Sequence, residues 1–409
     1  MNRQFAISRL GHKGDGIAEM PEGITHVGFA LPGETVIAEV RDGHFESTKV
    51  LESSRDRVAP VCHHFGVCGG CHMQHLRHDA YLAWKRQLVA DALAREGIGT
   101  EVQPIRHFPV ASRRRAVFTA IRTHDGVRLG FAQRRTNRIV DLEECPVLAP
   151  ELSATLKSLR ELSAILAPRR GVVKIAALAC DNGLDIAATN GAPVSEATRR
   201  RAIEWALAAK AARLSINSEN AIETARPYLQ AGIARVTPPP EGFVQAVAAA
   251  EQAMAELVIS HLSTARKLID LFSGSGAFAL RLAANAQVHA VEKDGAALLA
   301  LERAWREAGG VLKAVSTERR DLYRAPVTAA ELNGFDAAVF DPPRAGAEAQ
   351  SRELASSNVK RIAAVSCNPA TLARDLRILV DGGYRVLSVT PIDQFVFSPH
   401  VEAVALLER

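Results

Sequence analysis

The sequence predicts an α/β protein of three parts that ends in a class I, Rossmann-like, doubly wound domain. Three observations carry this. Beyond Pro238-Pro239-Pro240, strand-like runs at Lys267 to Phe272, Val288 to Glu292, Phe335 to Phe340, Arg361 to Ser366, Tyr384 to Val389 and Val401 to Leu407 alternate with helical runs. The first 57 residues instead hold short alternating strands, broken at Gly14-Asp15-Gly16, Pro21-Glu22-Gly23, Leu31-Pro32-Gly33 and Asp42-Gly43. Turns this frequent suit a compact five-strand, OB-like β-barrel of the kind that binds oligonucleotides. Between the two lies a mixed α+β segment, which places the domains at 1–57, 58–235 and 236–409.

A chain of 409 residues with 47% hydrophobic content has room for such a division and is neither fibrous nor disordered. No apolar run approaches the roughly 20 residues of a membrane helix. Met1-Asn2-Arg3-Gln4 opens no apolar signal segment, so a cytoplasmic monomer without a membrane partner is expected. Net charge is +5, and the arginines are clumped, most densely from Arg113-Arg114-Arg115 to Arg134-Arg135-Thr136-Asn137-Arg138. Nucleic-acid affinity comes from several cations along one phosphate path, so this block reads as a basic RNA-binding hairpin, turning at Asp125-Gly126.

Four of the six cysteines have ligand-like spacing: Cys62, Cys68, Cys71 and, far downstream before a proline, Cys145. Gly69-Gly70 lets the backbone fold tightly enough for Cys68 and Cys71 to meet. In a cytoplasmic chain this is a metal site before it is a disulfide framework. Zinc sites usually pair two CxxC knuckles, and a single CxxC with two outlying cysteines leans towards an iron–sulfur cubane, with zinc as the alternative. His63, His64, His72, His75 and His78 crowd the same stretch, where they leave a mixed Cys/His zinc site open beside the reading as surface or phosphate-contacting residues. Next, His78 to Glu96 reads as an amphipathic helix, with Tyr81, Trp84, Leu88, Ala92 and Leu93 near one face and the last domain as a possible packing partner. Further helices are expected near 150–166 and 194–210.

The chemistry gathers in the last domain. Asp270-Leu271-Phe272-Ser273-Gly274-Ser275-Gly276-Ala277-Phe278 is a glycine turn feeding a helix, where a cofactor can approach the backbone. Glu292 closes the next strand and is placed to accept from ribose hydroxyls. A nicotinamide enzyme would satisfy the same fingerprint. The fourth strand ends in Asp341-Pro342-Pro343-Arg344, whose prolines fix Asp341 at the crevice. The next delivers Cys367 in Ser366-Cys367-Asn368-Pro369. If the strand after His400-Val401-Glu402 runs antiparallel, Glu402 starts on that same edge. A solitary cysteine is more often core than nucleophile; the company of Asp341 and Glu402 reverses those odds.

DLFSGSGAF, DPPR, SCNPATLARD and PHVEAVALL, with Phe243-Val244-Gln245 before them, together resemble the S-adenosylmethionine-dependent RNA uracil-5-methyltransferases. CHHFGVCGGC resembles that family's iron–sulfur segment, RRRAVF, LGF and IVDLEECPVL its central domain, and the N-terminal β unit a TRAM domain. The branch with both TRAM domain and cluster resembles enzymes of 23S ribosomal RNA; the tRNA branch lacks both. The resemblance implies that Cys367 is the nucleophile and Glu402 the base that removes the C5 proton. It puts Gln245, Phe272, Gly274, Gly276, Glu292 and Asp341 around the methyl donor and substrate, and Asp321, after the third strand, against adenine. It assigns a 4Fe-4S cluster to Cys62, Cys68, Cys71 and Cys145. The family often has Asn where this chain has Ala277.

Those residue types suit the reaction. Uracil C5 is too weak a nucleophile unaided, so a thiolate must add to C6, and a carboxylate must later strip the C5 proton. A base in paired RNA must be flipped out to reach such a pocket. RNA cytosine-5-methyltransferases would need a second cysteine in the loop at Asp341, and amino-methyltransferases an aromatic residue at position 344; neither is present. A non-catalytic RNA-binding cluster protein is the alternative of another class.

Overall fold

The computed structural model describes residues 3–41, 43–189 and 193–409. Asp42 of the expected Asp42-Gly43 turn and the terminal Met1-Asn2 lie outside them.

The N-terminal unit is a six-stranded sheet rather than a five-stranded one, in the order Arg3–Ala6, Thr35–Arg41, His44–Glu52, Gly23–Gly28, Gly16–Met20, Arg9–Leu10. It curls: Ser8 N donates to Ile17 O at 2.8 Å and Ile7 N to Glu34 O at 2.9 Å, enclosing Phe5, Ile7, Ala18, Val27 and Val36. The central unit is a seven-stranded sheet, and its neighbouring strands Arg115–Thr123 and Gly126–Ala132 form the expected hairpin. Leu156–Leu166 and Glu196–Ala208 pack on it through Leu159, Leu162, Ala202 and Trp205.

The last sheet has eight strands: Val315–Arg319, Gln287–Glu292, Lys267–Leu271, Ala337–Phe340, Arg361–Ser366, Glu402–Glu408, Arg385–Asp393 and Arg106–His107. The first five are parallel, and Glu402–Glu408 runs antiparallel to both of its neighbours. Central strands such as Ala337–Phe340 are wholly buried, as a sheet covered on both faces requires. Two strands are missing from the runs read in the sequence, although the resemblance implied a third strand before Asp321. Val315–Arg319 is an edge strand of mixed polarity, and Arg106–His107 is a two-residue addition from the middle of the chain.

That addition belongs to a larger intrusion. Helix His78–Arg95 buries Val89, Ala92 and Leu93 in the same core as Leu372, Leu376 and Val389 of the last domain. Of the expected face Tyr81, Ala92 and Leu93 are buried and Trp84 and Leu88 only half-buried, while Lys85 and Val89 continue the stripe from Tyr81 at i, i+4 spacing. Lys85, wholly buried, pairs with Asp393 and donates to Phe395 O at 3.1 Å.

The arginine block does not form a free basic face. Arg134 and Arg135 both pair with Asp15 of the N-terminal unit. Arg114, buried, meets Glu251 at 2.6 Å and donates to Gln245 O at 3.1 Å, and Arg122 caps carbonyls at Ala164 and Ala167. Arg134 and Arg135 tie the central unit to the N-terminal one and Arg114 ties it to the last, while Arg122 acts within the central unit; Arg128 and Arg138 remain exposed.

Candidate active site

Cys367 follows strand Arg361–Ser366 and precedes helix Pro369–Asp381, whose N-cap Asn368 accepts from Ala370 N at 3.2 Å. Proline at the first helical turn and an Asn cap fix this strand-to-helix corner. The helix N-terminus beside the sulfur favours its anion. In the antiparallel register Ser366 opposes Ala403, so the next opposed pair is Cys367 and Glu402. Asp341 ends the neighbouring parallel strand. Its loop is tied to the cysteine corner, because Arg344 O accepts from Asn368 Nδ2 at 3.1 Å and from Thr371 Oγ1 at 3.3 Å.

A cavity of about 590 Å³ lies on this edge. Gln245, Phe272, Gly274, Glu292, Asp321, Asp341, Cys367 and Glu402 all line it. Gly274, at φ +52°, has no atom within 4 Å of where a Cβ would sit, so its open side faces the cavity. Gly276 is not on the wall. At φ +90° it lets the turn pass 2.8 Å from Leu301 Cγ, counted from an added Cβ, and its part is packing rather than contact. Glu292 is held by three backbone N–H groups: Gly274 at 3.0 Å, Lys293 at 2.7 Å and Asp294 at 2.9 Å. Asp321, paired with Lys293 at 2.8 Å, is held below the usual carboxylate range by that contact. Tyr323, which the sequence did not point to, sets its ring 5.5 Å from that of Phe272. Phe272 itself sits at φ +61°, a strained conformation for a phenylalanine, where the strand turns into the cavity wall.

The acid–base groups are strongly perturbed. Glu402 is buried; its Oε1 accepts from Gln394 Nε2 at 2.8 Å, and its Oε2 has no partner. Burial and the nearby charge of Asp341 push the Glu402 carboxyl upward. Asp341 is raised as well, chiefly by burial, against the hydrogen bond from Gln245 Nε2 at 2.9 Å. Cys367 is pushed up to about 11 by burial and by these two carboxylates, with Arg344 opposing. At rest the site therefore holds a thiol facing carboxyls of raised proton affinity. Such clusters mark catalytic sites more often than structural ones.

The four spaced cysteines, Cys62, Cys68, Cys71 and Cys145, line a second cavity of about 380 Å³, all as free thiols. Among the described residues no three His, Cys, Asp or Glu side chains close on a point as they would around one metal ion. The expected metal centre is thus represented by four thiols on one wall, not by a closed ligand group. Burial raises each thiol, Cys71 to about 12 and Cys145 to about 11. The histidines divide: His63 meets Glu144 at 2.9 Å on the surface, whereas His75 is fully buried between Phe29 and Phe65. Phe395 and Arg344 line both cavities, and Phe397 O accepts from His72 N and Met73 N at 2.7 and 3.0 Å. The cysteine segment therefore packs directly against the loop that leads to Glu402.

Comparison with known proteins bears on the family and the fold. The tRNA (uracil-5-)-methyltransferase family profile matches residues 208–409. An RNA methyltransferase of Mesorhizobium japonicum is 49% identical over 100% of this chain and 98% of its own length. The 23S rRNA (uracil(1939)-C(5))-methyltransferase of Halomonas elongata is 35% identical over 100% of this chain and 89% of its own. In fold, the crystal structure of Pyrococcus abyssi tRNA (uracil-54, C5)-methyltransferase with S-adenosyl-L-homocysteine covers 99% of both chains at TM-score 0.78 and 24% identity. No helix among the described residues is long and apolar enough to cross a membrane.

Proposed function

The chain belongs to the RNA (uracil-5-)-methyltransferase family, and from that premise we propose that it methylates C5 of one uridine in 23S ribosomal RNA, by covalent catalysis at Cys367. The observation that supports this best is the convergence of Cys367, Glu402 and Asp341 on the cavity behind the glycine turn. S-adenosylmethionine, when bound, supplies an electrophilic methyl group on a positively charged sulfur. Gly274 would give it access to the backbone, the backbone-held carboxylate of Glu292 would accept from ribose hydroxyls, and Asp321 with the Phe272–Tyr323 pair would flank adenine.

Cys367 gives up its proton as Sγ bonds to C6 of the flipped uracil; of the two facing carboxylates Asp341 is the one to receive it, because Glu402 must stay an anion for the later step. The C5=C6 pair moves towards C5 and O4, which makes C5 the nucleophile. Asp341, steadied by Gln245, orients the base edge or the thiol. After C5 is alkylated, Glu402 takes the C5 proton through its free Oε2, C5=C6 re-forms, and the C6–S bond breaks. Raised proton affinity suits Glu402 to that step, because a carboxylate of ordinary strength is a weak base at neutral pH.

Cys62, Cys68, Cys71 and Cys145 would hold a [4Fe-4S] cluster. A four-thiolate donor set suits it, and a cluster takes ligands at separate corners instead of around one ion. Bound there, it would supply a cross-link between the segments at 62–71 and 145. The N-terminal sheet, read as a TRAM domain, would hold flanking RNA. Mapping 5-methyluridine in total RNA from cells with and without the protein tests the substrate. Loss at a single 23S position is expected; loss in tRNA alone would move the assignment to the tRNA branch, and no loss would refute it.

A further inference from the structure

We infer that Gln394 is a positioning residue for proton abstraction: its amide holds Glu402 in place and, through Gln245, sets the orientation of Asp341. The inference rests on the reading of Glu402 as the base. Gln394 is buried, and it separates the two cavities: it lines the cysteine cavity, while Glu402 lines the catalytic one.

Its orientation is decided by one backbone group. Ala246 N donates to Gln394 Oε1 at 3.0 Å, so the oxygen of that amide is fixed. Gln394 Nε2 must then face the other way, where it donates to Glu402 Oε1 at 2.8 Å and to Gln245 Oε1 at 2.7 Å. With its own oxygen so used, Gln245 directs Nε2 to Asp341 Oδ2 at 2.9 Å. An amide has one accepting and one donating end, so the sense of the chain cannot reverse without setting two donors or two acceptors face to face. Both carboxylates thus receive a side-chain amide donor at one oxygen. Glu402 keeps Oε2 unpartnered, the atom a C5 proton would reach. Arg114 secures the far end, donating through its side chain to Gln245 O and through its backbone N to Ala246 O at 2.9 Å.

The groups facing Glu402 are Asp341, Cys367, Arg344, Lys85 and Gln394 itself. Gln394 is the one that donates a hydrogen bond to it, which favours the anion. Gln394→Met keeps the length and removes the donor. In vitro transcribed 23S rRNA and S-adenosylmethionine are mixed with enzyme in one turnover, and decay of the covalent RNA complex is followed on denaturing gels. A lost hydrogen bond to a charged group should slow decay about ten- to hundredfold and move the acid limb of its pH profile up by about one unit. Gln394→Glu, which sets a third carboxyl beside Glu402, should move it further, and it serves if the Met variant does not fold.

Glu402→Gln is the reference. If it accumulates complex and the folded Gln394 variants decay at the wild-type rate with an unmoved profile, the positioning role is refuted and the base assignment stands. If Glu402→Gln itself releases product normally, the base assignment fails first. A slowed Gln394 variant whose pH profile does not move has only a packing role, which also refutes the inference.

Discussion

The buried pair between Lys85 and Asp393 makes a demanding test of how the middle of the chain supports the catalytic edge. Its side chains are 0% and 1% exposed, and the lysine comes from a helix 308 residues away in sequence. Asp393 ends the strand paired with Glu402 and is followed directly by Gln394, so a shift there reaches the proposed base within a few ångströms. Lys85→Met leaves a carboxylate in the core without its cation, a change that costs about 3–5 kcal/mol. For a unit the size of the last domain this lowers Tm by roughly 10 °C. Lys85→Met with Asp393→Leu removes both charges and should recover most of that loss, since an apolar pair of similar volume is often neutral or better. Thermal unfolding of both singles and the double closes the cycle, and methyl transfer by the same four proteins reads the consequence at the site. Stability and turnover should fall together in Lys85→Met, with stability largely restored in the double. A double variant no more stable than the single, or a single variant of wild-type Tm, would refute the reasoning.

Other outcomes follow from the same geometry. Glu402 must be an anion to take a proton, and its affinity for protons is raised, so release of the methylated RNA should be lost as pH falls through the neutral range, well above the usual carboxylate value of about 4.3; a rate unchanged down to that value would contradict this. Gly276→Ala puts a Cβ 2.8 Å from Leu301 Cγ at a positive φ and should lower Tm, whereas Gly274→Ala meets no atom of the protein and should weaken S-adenosylmethionine binding in a titration more than it lowers Tm. Protein purified without oxygen should be brown and contain iron with sulfide; colourless protein with stoichiometric zinc would assign the four cysteines to a single ion.

Much of the site was legible because it sits on strand ends. An apolar run that stops at a proline or a charged residue marks a sheet edge, and Asp341, Cys367 and Glu402 each close or open such a run. Val315–Arg319 was not legible, because an edge strand need not be apolar on both faces. Lys85 was passed over because a long amphipathic side chain counts as polar in a periodicity, although it shares the i, i+4 stripe of Tyr81 and Val89. Gln394 gave no signal at all: its meaning depends on Ala246 and Gln245, almost 150 residues earlier, meeting it across the fold. The arginine block was legible as charge but not as contacts, since charge spacing cannot show that Asp15 and Glu251 are the partners of Arg134, Arg135 and Arg114.

The central claim is a transient bond between Cys367 and C6 of the target uracil. RNA carrying 5-fluorouridine lacks the proton that Glu402 would remove, so enzyme, this RNA and S-adenosylmethionine should give a complex stable to denaturant. Digestion and tandem mass spectrometry should find the nucleotide on the peptide holding Cys367, and nothing in Cys367→Ala. A nucleotide attached to another residue, or methyl transfer that persists in Cys367→Ala, would contradict the account.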